Sequence, residues 1–235
     1  MKILLVAIED DRWGPPRLPK ALSSAGFEVA ALCPCSNPTA KSRYLAQHFS
    51  WPRSRAWVRL AASLKRAMSA WQPALVVPCD EQVVALVQFL LCNPKMTGLE
   101  RWPKRLFDAL ARSMGPPASF DAMLRKNSTQ LLARRIGVAT PAGLAVANFP
   151  QARDEARRIG YPVVLKRSFS WGGAGVRVCR SEGELQSAVA EMTPKPGIGL
   201  KRQVRWLLSR DWYPNDNALW LQGAPSSAHW LGTDD

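Results

Sequence analysis

The sequence predicts an α/β protein with a doubly wound parallel sheet over residues 1–118. A smaller unit of helices and a β-hairpin follows. Three observations carry this prediction. Apolar runs alternate with stretches of helical periodicity through the first hundred residues, the pattern of β-α-β units. The cluster Gly115-Pro116-Pro117 interrupts that pattern and marks a boundary. Beyond it, two short apolar runs flank a glycine-bearing loop, which reads as a hairpin rather than a crossover.

Residues Lys2 to Ala7 read KILLVA, a buried parallel strand whose loop opens at Glu9-Asp10-Asp11. Pro15 and Pro16 suit the first turn of a helix, along which Leu18, Ala21, Leu22 and Ala25 recur at helical spacing up to Gly26. Phe27 to Leu32 is a second strand stopped by Pro34, and the order implies a parallel, right-handed unit. The stretch Arg55 to Trp71 places Trp57, Leu60, Leu64, Met68 and Trp71 on one helical face, and Arg55, Arg59, Lys65 and Arg66 on the solvated one. Ala74 to Pro78 is the next strand, and a helix with Val83, Leu86, Val87 and Leu90 follows Asp80-Glu81. Ligands of such sheets sit at the carboxyl ends of strands, which brings Glu9, Asp10, Asp80 and Glu81 near any site. Acids after a strand also cap the next helix, and capping is the preferred reading of these four.

After the boundary, a helix is expected over 120–136 with Phe120, Met123, Leu124, Leu131, Leu132 and Ile136 buried, closed by Gly137. Val138 to Pro141 should enter a short strand, and a further helix should run from Gln151 to Ile159, ending at Gly160. Ser181 to Met192 has the composition of another helix, with Glu182 and Glu184 at its positive end.

Composition narrows the function classes. The chain has 235 residues, 47% of them hydrophobic and 21% charged, ordinary for a globular protein with a real core. Thirty-two Lys and Arg against eighteen Asp and Glu leave +14, which favours anionic partners. The excess is spread: residues 1–100 carry 12 basic and 7 acidic groups, and residues 101–235 carry 20 and 11. Ten tryptophans fall mostly at core spacing, without the aromatic-basic interleaving of single-strand binders, so a nucleic-acid-binding protein is retained only as an alternative. Five cysteines (Cys33, Cys35, Cys79, Cys92, Cys179) form no CxxC pair and read as reduced thiols. His48 and His229 lack the context of a zinc site or a catalytic triad. The N-terminal apolar run reaches acid at position 9, too short for a signal peptide or a membrane span, so the expected setting is the cytoplasm without membrane contact. A dinucleotide site needs GxGxxG after the first strand, whereas this loop reads EDDRWGPPR. No Walker A sequence occurs.

Residues 160–179, GYPVVLKRSFSWGGAGVRVC, carry the chemistry. Val163 to Leu165 delivers Lys166, a polar loop runs from Ser168 to Gly175, and Val176 to Cys179 returns as a second strand. Glycines let backbone N–H groups approach phosphate oxygens without an intervening Cβ, and a strand-borne lysine adds a fixed positive charge. Trp171 sits within the loop and is bulky for that position.

Lys126 in MLRKNSTQLLARRIGVATPAG, then GYPVVLK, then the glycine loop, form an order that resembles the ATP-grasp superfamily. The resemblance implies a pre-ATP-grasp domain over 1–118 and a small ATP-binding lobe over 119–222, with residues 223–235 as a tail or the start of a larger lobe. It implies ATP and Mg²⁺ as cofactors, with acyl-phosphate formation on a carboxylate and transfer to an amine or thiol. Carried over by position, Lys126 lies near the phosphates and Lys166 contacts phosphate and adenine. Ser168, Ser170, Gly172, Gly173 and Gly175 belong to the loop that closes over the β- and γ-phosphates. Gln222, in Leu219-Trp220-Leu221-Gln222, stands where the family often has Glu or Gln beside adenine, although its own context reads as an ordinary edge strand. The family's metal-binding lobe would lie beyond Asp235, so catalytic residues and Mg²⁺ ligands are not assigned. Three alternatives stay open: a fragment, a degenerate or non-catalytic partner module, or half of a two-chain enzyme. Expected partners are a nucleotide, a small carboxylate if the full lobe exists, and a second chain or copy.

Overall fold

The computed structural model describes residues 1–10, 14–51, 56–170, 173, 175–193 and 219–224. They fall into two compact units, one holding Met1–Phe120 and the other beginning at Asp121 and including residues 219–224.

The first unit is built on a four-stranded parallel sheet of β1 (Lys2–Val6), β2 (Glu28–Leu32), β3 (Gln47–Phe49) and β4 (Leu75–Pro78), in the order β3-β2-β1-β4. Helix α1 (Leu18–Ser24) follows β1 and α2 (Trp57–Trp71) follows β3. After β4 come α3 (Glu81–Cys92), the single turn α4 (Pro94–Thr97) and α5 (Lys104–Met114). Strand residues alternate between faces. Ile3, Leu5, Ala7, Val29, Ala31 and Cys33 pack with Leu18 and Leu22 of α1, while Leu4, Val6, Ala30 and Leu32 are buried on the opposite face, where α2 and α5 lie. Helices on both faces make the sheet doubly wound, as the apolar runs predicted. In α2 the residues Leu60, Leu64, Met68 and Trp71 are buried at the predicted spacing. The edge strand β3 was not read from the sequence, because its three residues Gln47, His48 and Phe49 carry no apolar run.

In the second unit, helix 120–136 is two helices: α6 (Phe120–Leu124) and α7 (Lys126–Arg135), with Arg125 in extended conformation between them. The expected buried face is also wrong beyond Phe120. Met123, Leu131 and Ile136 are 47%, 55% and 65% exposed, and the break at Arg125 interrupts the helical phase between Phe120 and the later two. The strand expected from Val138 begins later, as β5 (Gly143–Val146), followed by α8 (Phe149–Ile159), β6 (Val163–Arg167), β7 (Val176–Cys179), α9 (Glu182–Met192) and β8 (Leu219–Gly223). The antiparallel sheet has the order β5-β8-β6-β7. β8 is therefore a central strand, which corrects the edge-strand reading of Gln222: a strand remote in sequence is inserted between β5 and β6, and local sequence carries no record of such pairing.

Val163, Leu165, Cys179, Leu219 and Leu221 point to one face of this sheet, where Ala152 and Ala156 of α8 and Leu185, Val189 and Met192 of α9 complete a core. Burying such side chains stabilises the unit by about 1.5–3 kcal/mol for each large one. The opposite face carries different residues, and they form the candidate site.

Candidate functional site

The register defines two rows across that second face. One row is Ala145, Trp220, Lys166 and Val176, and the next is Gly143, Gln222, Val164 and Val178. Lys166 thus shares a face with Gln222 because both occupy even positions on paired strands, whereas Arg167 is on the other face and exposed. Gly143 is required by close approach: a Cβ there would stand 2.8 Å from the Cβ of Gln222.

Several polar groups on this face have no partner among the described residues. Trp220 is 1% exposed and Gln222 5% exposed, yet among those residues Trp220 Nε1 and Gln222 Oε1 form no hydrogen bond. Leaving such groups unsatisfied costs about 1–3 kcal/mol each. Lys166 is half-buried, and among the described residues its ammonium has no hydrogen bond or ion pair. Burial pulls its pKa below the ordinary lysine value. The guanidinium of Arg134, from the last turn of α7, lies 5.3 Å from the Trp220 ring centre. It also donates to Thr140 Oγ1, Pro141 O and Gly143 O, tying the end of α7 to β5.

Lys126 opens α7, and its backbone N–H donates to Ser168 O at 2.9 Å. Its ammonium donates to Ser170 O at 2.5 Å and Ser170 Oγ at 2.9 Å. Ser168 is fully buried, and its hydroxyl donates to Asn127 Oδ1. Both polar groups of Ser168 are thus engaged within the protein. The stems of the loop are closed by Arg167 N–H to Gly175 O at 2.8 Å and Val176 N–H to Gly173 O at 3.0 Å. Gly173 has φ +78°, which favours glycine, and a Cβ at Gly175 would overlap the Ser170 side chain. Gly172 and Trp171 lie outside the described residues.

Lys126, Ser168, Ser170 and Gly175 are therefore brought together at the base of the loop, while Lys166 and Gln222 share the sheet face. Sequence reasoning missed Trp220, Arg134 and Asn127. The parity of Trp220 with Gln222 on one strand was a signal that could have found the first.

In the first unit, Asp80 caps a helix as preferred, whereas Glu9 and Asp10 accept from the side chains of Gln82 and Ser36 and cap no helix among the described residues. Asp80 Oδ1 accepts from Val83 N–H at 2.8 Å at the start of α3, and Oδ2 accepts from Ile8 and Glu9 N–H at 2.6 and 3.1 Å. Glu9 Oε1 accepts from Gln82 at 2.8 Å.

Residues 125–200 match the family model of the carbamoyl-phosphate synthase L chain, ATP binding domain. The N5-carboxyaminoimidazole ribonucleotide synthase of Synechococcus elongatus is 37% identical over 81 residues, which are 34% of this chain and 20% of that protein. The carbamoyl phosphate synthase large chain of Pyrobaculum aerophilum is 31% identical over 118 residues, 46% of this chain and 12% of that one. Among solved structures, the biotin carboxylase domain of Hydrogenobacter thermophilus 2-oxoglutarate carboxylase, a dimer in complex with MgADP, ADP and bicarbonate, superposes with a TM-score of 0.59 at 18% identity. That match covers 96% of this chain and 44% of the other, so the chain spans less than half of the structure it resembles. The matched family segment begins one residue before Lys126 and takes in β6, the glycine loop and α9.

Proposed function

We propose that this chain, which carries the ATP-grasp fold, binds the adenine and phosphates of ATP on the second face of its antiparallel sheet and serves ATP-dependent ligation of a carboxylate to an amine or thiol. The observation that carries the reading is the half-buried Lys166 on the same face as polar atoms of Trp220 and Gln222, all three without partners among the described residues. Buried polar groups are kept without partners where a ligand supplies them. Here they comprise a cation for phosphate, a donor and an acceptor.

When bound, ATP supplies a phosphoryl group that can activate a carboxylate. The residues of this chain bind and orient it. Lys166 holds a phosphate oxygen, Lys126 a second one at the start of α7, and Gln222 the edge of the base. Gly175 leaves room for the loop to pack closely on Ser170. Among the described residues no three His, Cys, Asp or Glu side chains converge, so Mg²⁺ is given no ligands here and no step is routed through it. In this reading the small lobe is residues 119–222 and the preceding unit residues 1–118. Among the described residues no helix is long and apolar enough to cross a membrane.

Calorimetric titration with ATP tests the proposal. Wild-type protein should bind, and Lys166→Ala should weaken binding by about 10- to 100-fold, the equivalent of the roughly 1.5–3 kcal/mol of a hydrogen bond to a charged group. Arg167→Ala, on the opposite face, should change it little. Equal losses in the two variants, or folded wild-type protein that ignores ATP, would defeat the assignment.

A further inference from the structure

The ammonium group of Lys126 is already held by the loop that is expected to share it with phosphate. One residue, Ser170, offers it both a carbonyl oxygen at 2.5 Å and a hydroxyl oxygen at 2.9 Å. A phosphate group likewise presents more than one acceptor oxygen to a lysine, in its case on one phosphorus. The surroundings fix this contact. Ser168 is anchored on both sides of its backbone and side chain, through Lys126 N–H and Asn127 Oδ1. Gly175, with no Cβ, lets Ser170 sit against the returning strand. The hydrogen bonds from Arg167 and Val176 then close the stems.

We propose that Ser170 is an intramolecular stand-in for phosphate that latches Lys126 and lowers nucleotide affinity until the two oxygens are exchanged. The proposal rests on the reading of this site as a nucleotide site and adds its regulation. An ammonium group has three donors, so a lysine that already serves two acceptors of one residue takes a bidentate anion only by releasing at least one of them. The apparent dissociation constant is then the intrinsic one divided by the fraction of molecules in which Lys126 is free. Lys166, with no hydrogen bond or ion pair among the described residues, meets the phosphates directly, so the two lysines play different parts: one attracts, the other engages on exchange.

Ser170→Ala separates this from a direct role of Ser170. It deletes one of the two acceptors and adds nothing to the space beside Gly175. Binding of ATP and of inorganic tripolyphosphate is measured for wild type, Ser170→Ala, Lys126→Met and the double variant, each checked for folding by its thermal transition. The latch predicts that Ser170→Ala tightens both ligands by about three- to tenfold, because the competent fraction rises. In the Lys126→Met background the same change should have no effect. Weaker binding in Ser170→Ala would make Ser170 a ligand contact and overturn the proposal. An effect that persists without Lys126 would also overturn it, since the loop would then act by another route. If tripolyphosphate binds with the predicted pattern while ATP does not, the nucleotide reading fails and the latch stands. If neither anion binds any folded variant, the latch has nothing to hold out and falls as well.

Discussion

The two sheets treat their buried polar groups in opposite ways. At the carboxyl ends of the parallel strands, Asp80 accepts three backbone N–H groups, Asn37 bridges Thr39 N–H and Glu9 O, and Gln82 holds Glu9. The indoles of Trp51 and Trp71 donate to Ala7 O and Ile3 O. Among the described residues buried there, the Thr39 hydroxyl is the one side-chain group without a partner. On the second face of the antiparallel sheet, Trp220 Nε1, Gln222 Oε1 and the Lys166 ammonium are without partners among the described residues. A network that satisfies itself is architecture, because its groups gain nothing from a ligand. A face that leaves a donor, an acceptor and a cation unmet carries a cost that binding removes.

The largest test of this contrast is Asp80→Ala. It strands three backbone N–H groups in a buried place and removes the cap of α3, for a loss of about 3–5 kcal/mol in urea unfolding. ATP affinity of the folded fraction should stay as in wild type. A stable variant with impaired ATP binding would put the ligand site in the wrong sheet.

A paired substitution is more discriminating. Trp71→Phe and Trp220→Phe each delete an indole from a buried site, but only the first breaks a hydrogen bond, the 3.1 Å contact to Ile3 O. Trp71→Phe should therefore cost about 1–2 kcal/mol more than Trp220→Phe, and only the latter should weaken ATP binding. Equal stability losses would mean that Trp220 Nε1 is satisfied in solution.

The smallest effect is a shift in pH dependence. Desolvation lowers the pKa of Lys166 in the folded protein, so the folded state releases this proton at a lower pH than the unfolded chain does. Below the folded pKa the penalty on stability is complete, and it is relieved as pH rises toward the ordinary lysine value. Phosphate selects the charged form, so ATP affinity should fall as pH rises through the lowered pKa, with proton uptake on binding in that window. Calorimetry in buffers of different ionisation enthalpy measures the uptake, and Lys166→Ala should abolish it.

Much of this was legible in local sequence. The apolar runs at residues 2–7, 27–32 and 74–78 could only be buried strands, and their spacing implied parallel pairing. The GYPVVLK run and the glycine loop located β6, β7 and Lys166, and the order of motifs pointed to the ATP-grasp fold that the structural comparison shows. Less legible were groups whose roles depend on partners distant along the chain. Arg134 reads as one more solvated arginine until β8 places Trp220 beneath it. Asn127 has no purpose until Ser168, 41 positions on, presents its hydroxyl. The break at Arg125 was likewise not read, since the apolar residues on either side keep helical spacing, although Asn127, Ser128 and Thr129 are types that favour a helix start.

The sequence by itself determined the strands, their alternation with helices, and the lysine and glycines of the hairpin, because periodicity and glycine content act over a few residues. Only the tertiary structure decided that β8 enters between β5 and β6, and this sets Trp220 and Gln222 beside Lys166. It also decided that Lys126 spends its charge on Ser170. The physical reason is the same in both cases: a polar group is satisfied or left wanting by what the folded chain brings within about 3 Å, a distance unrelated to separation along the sequence.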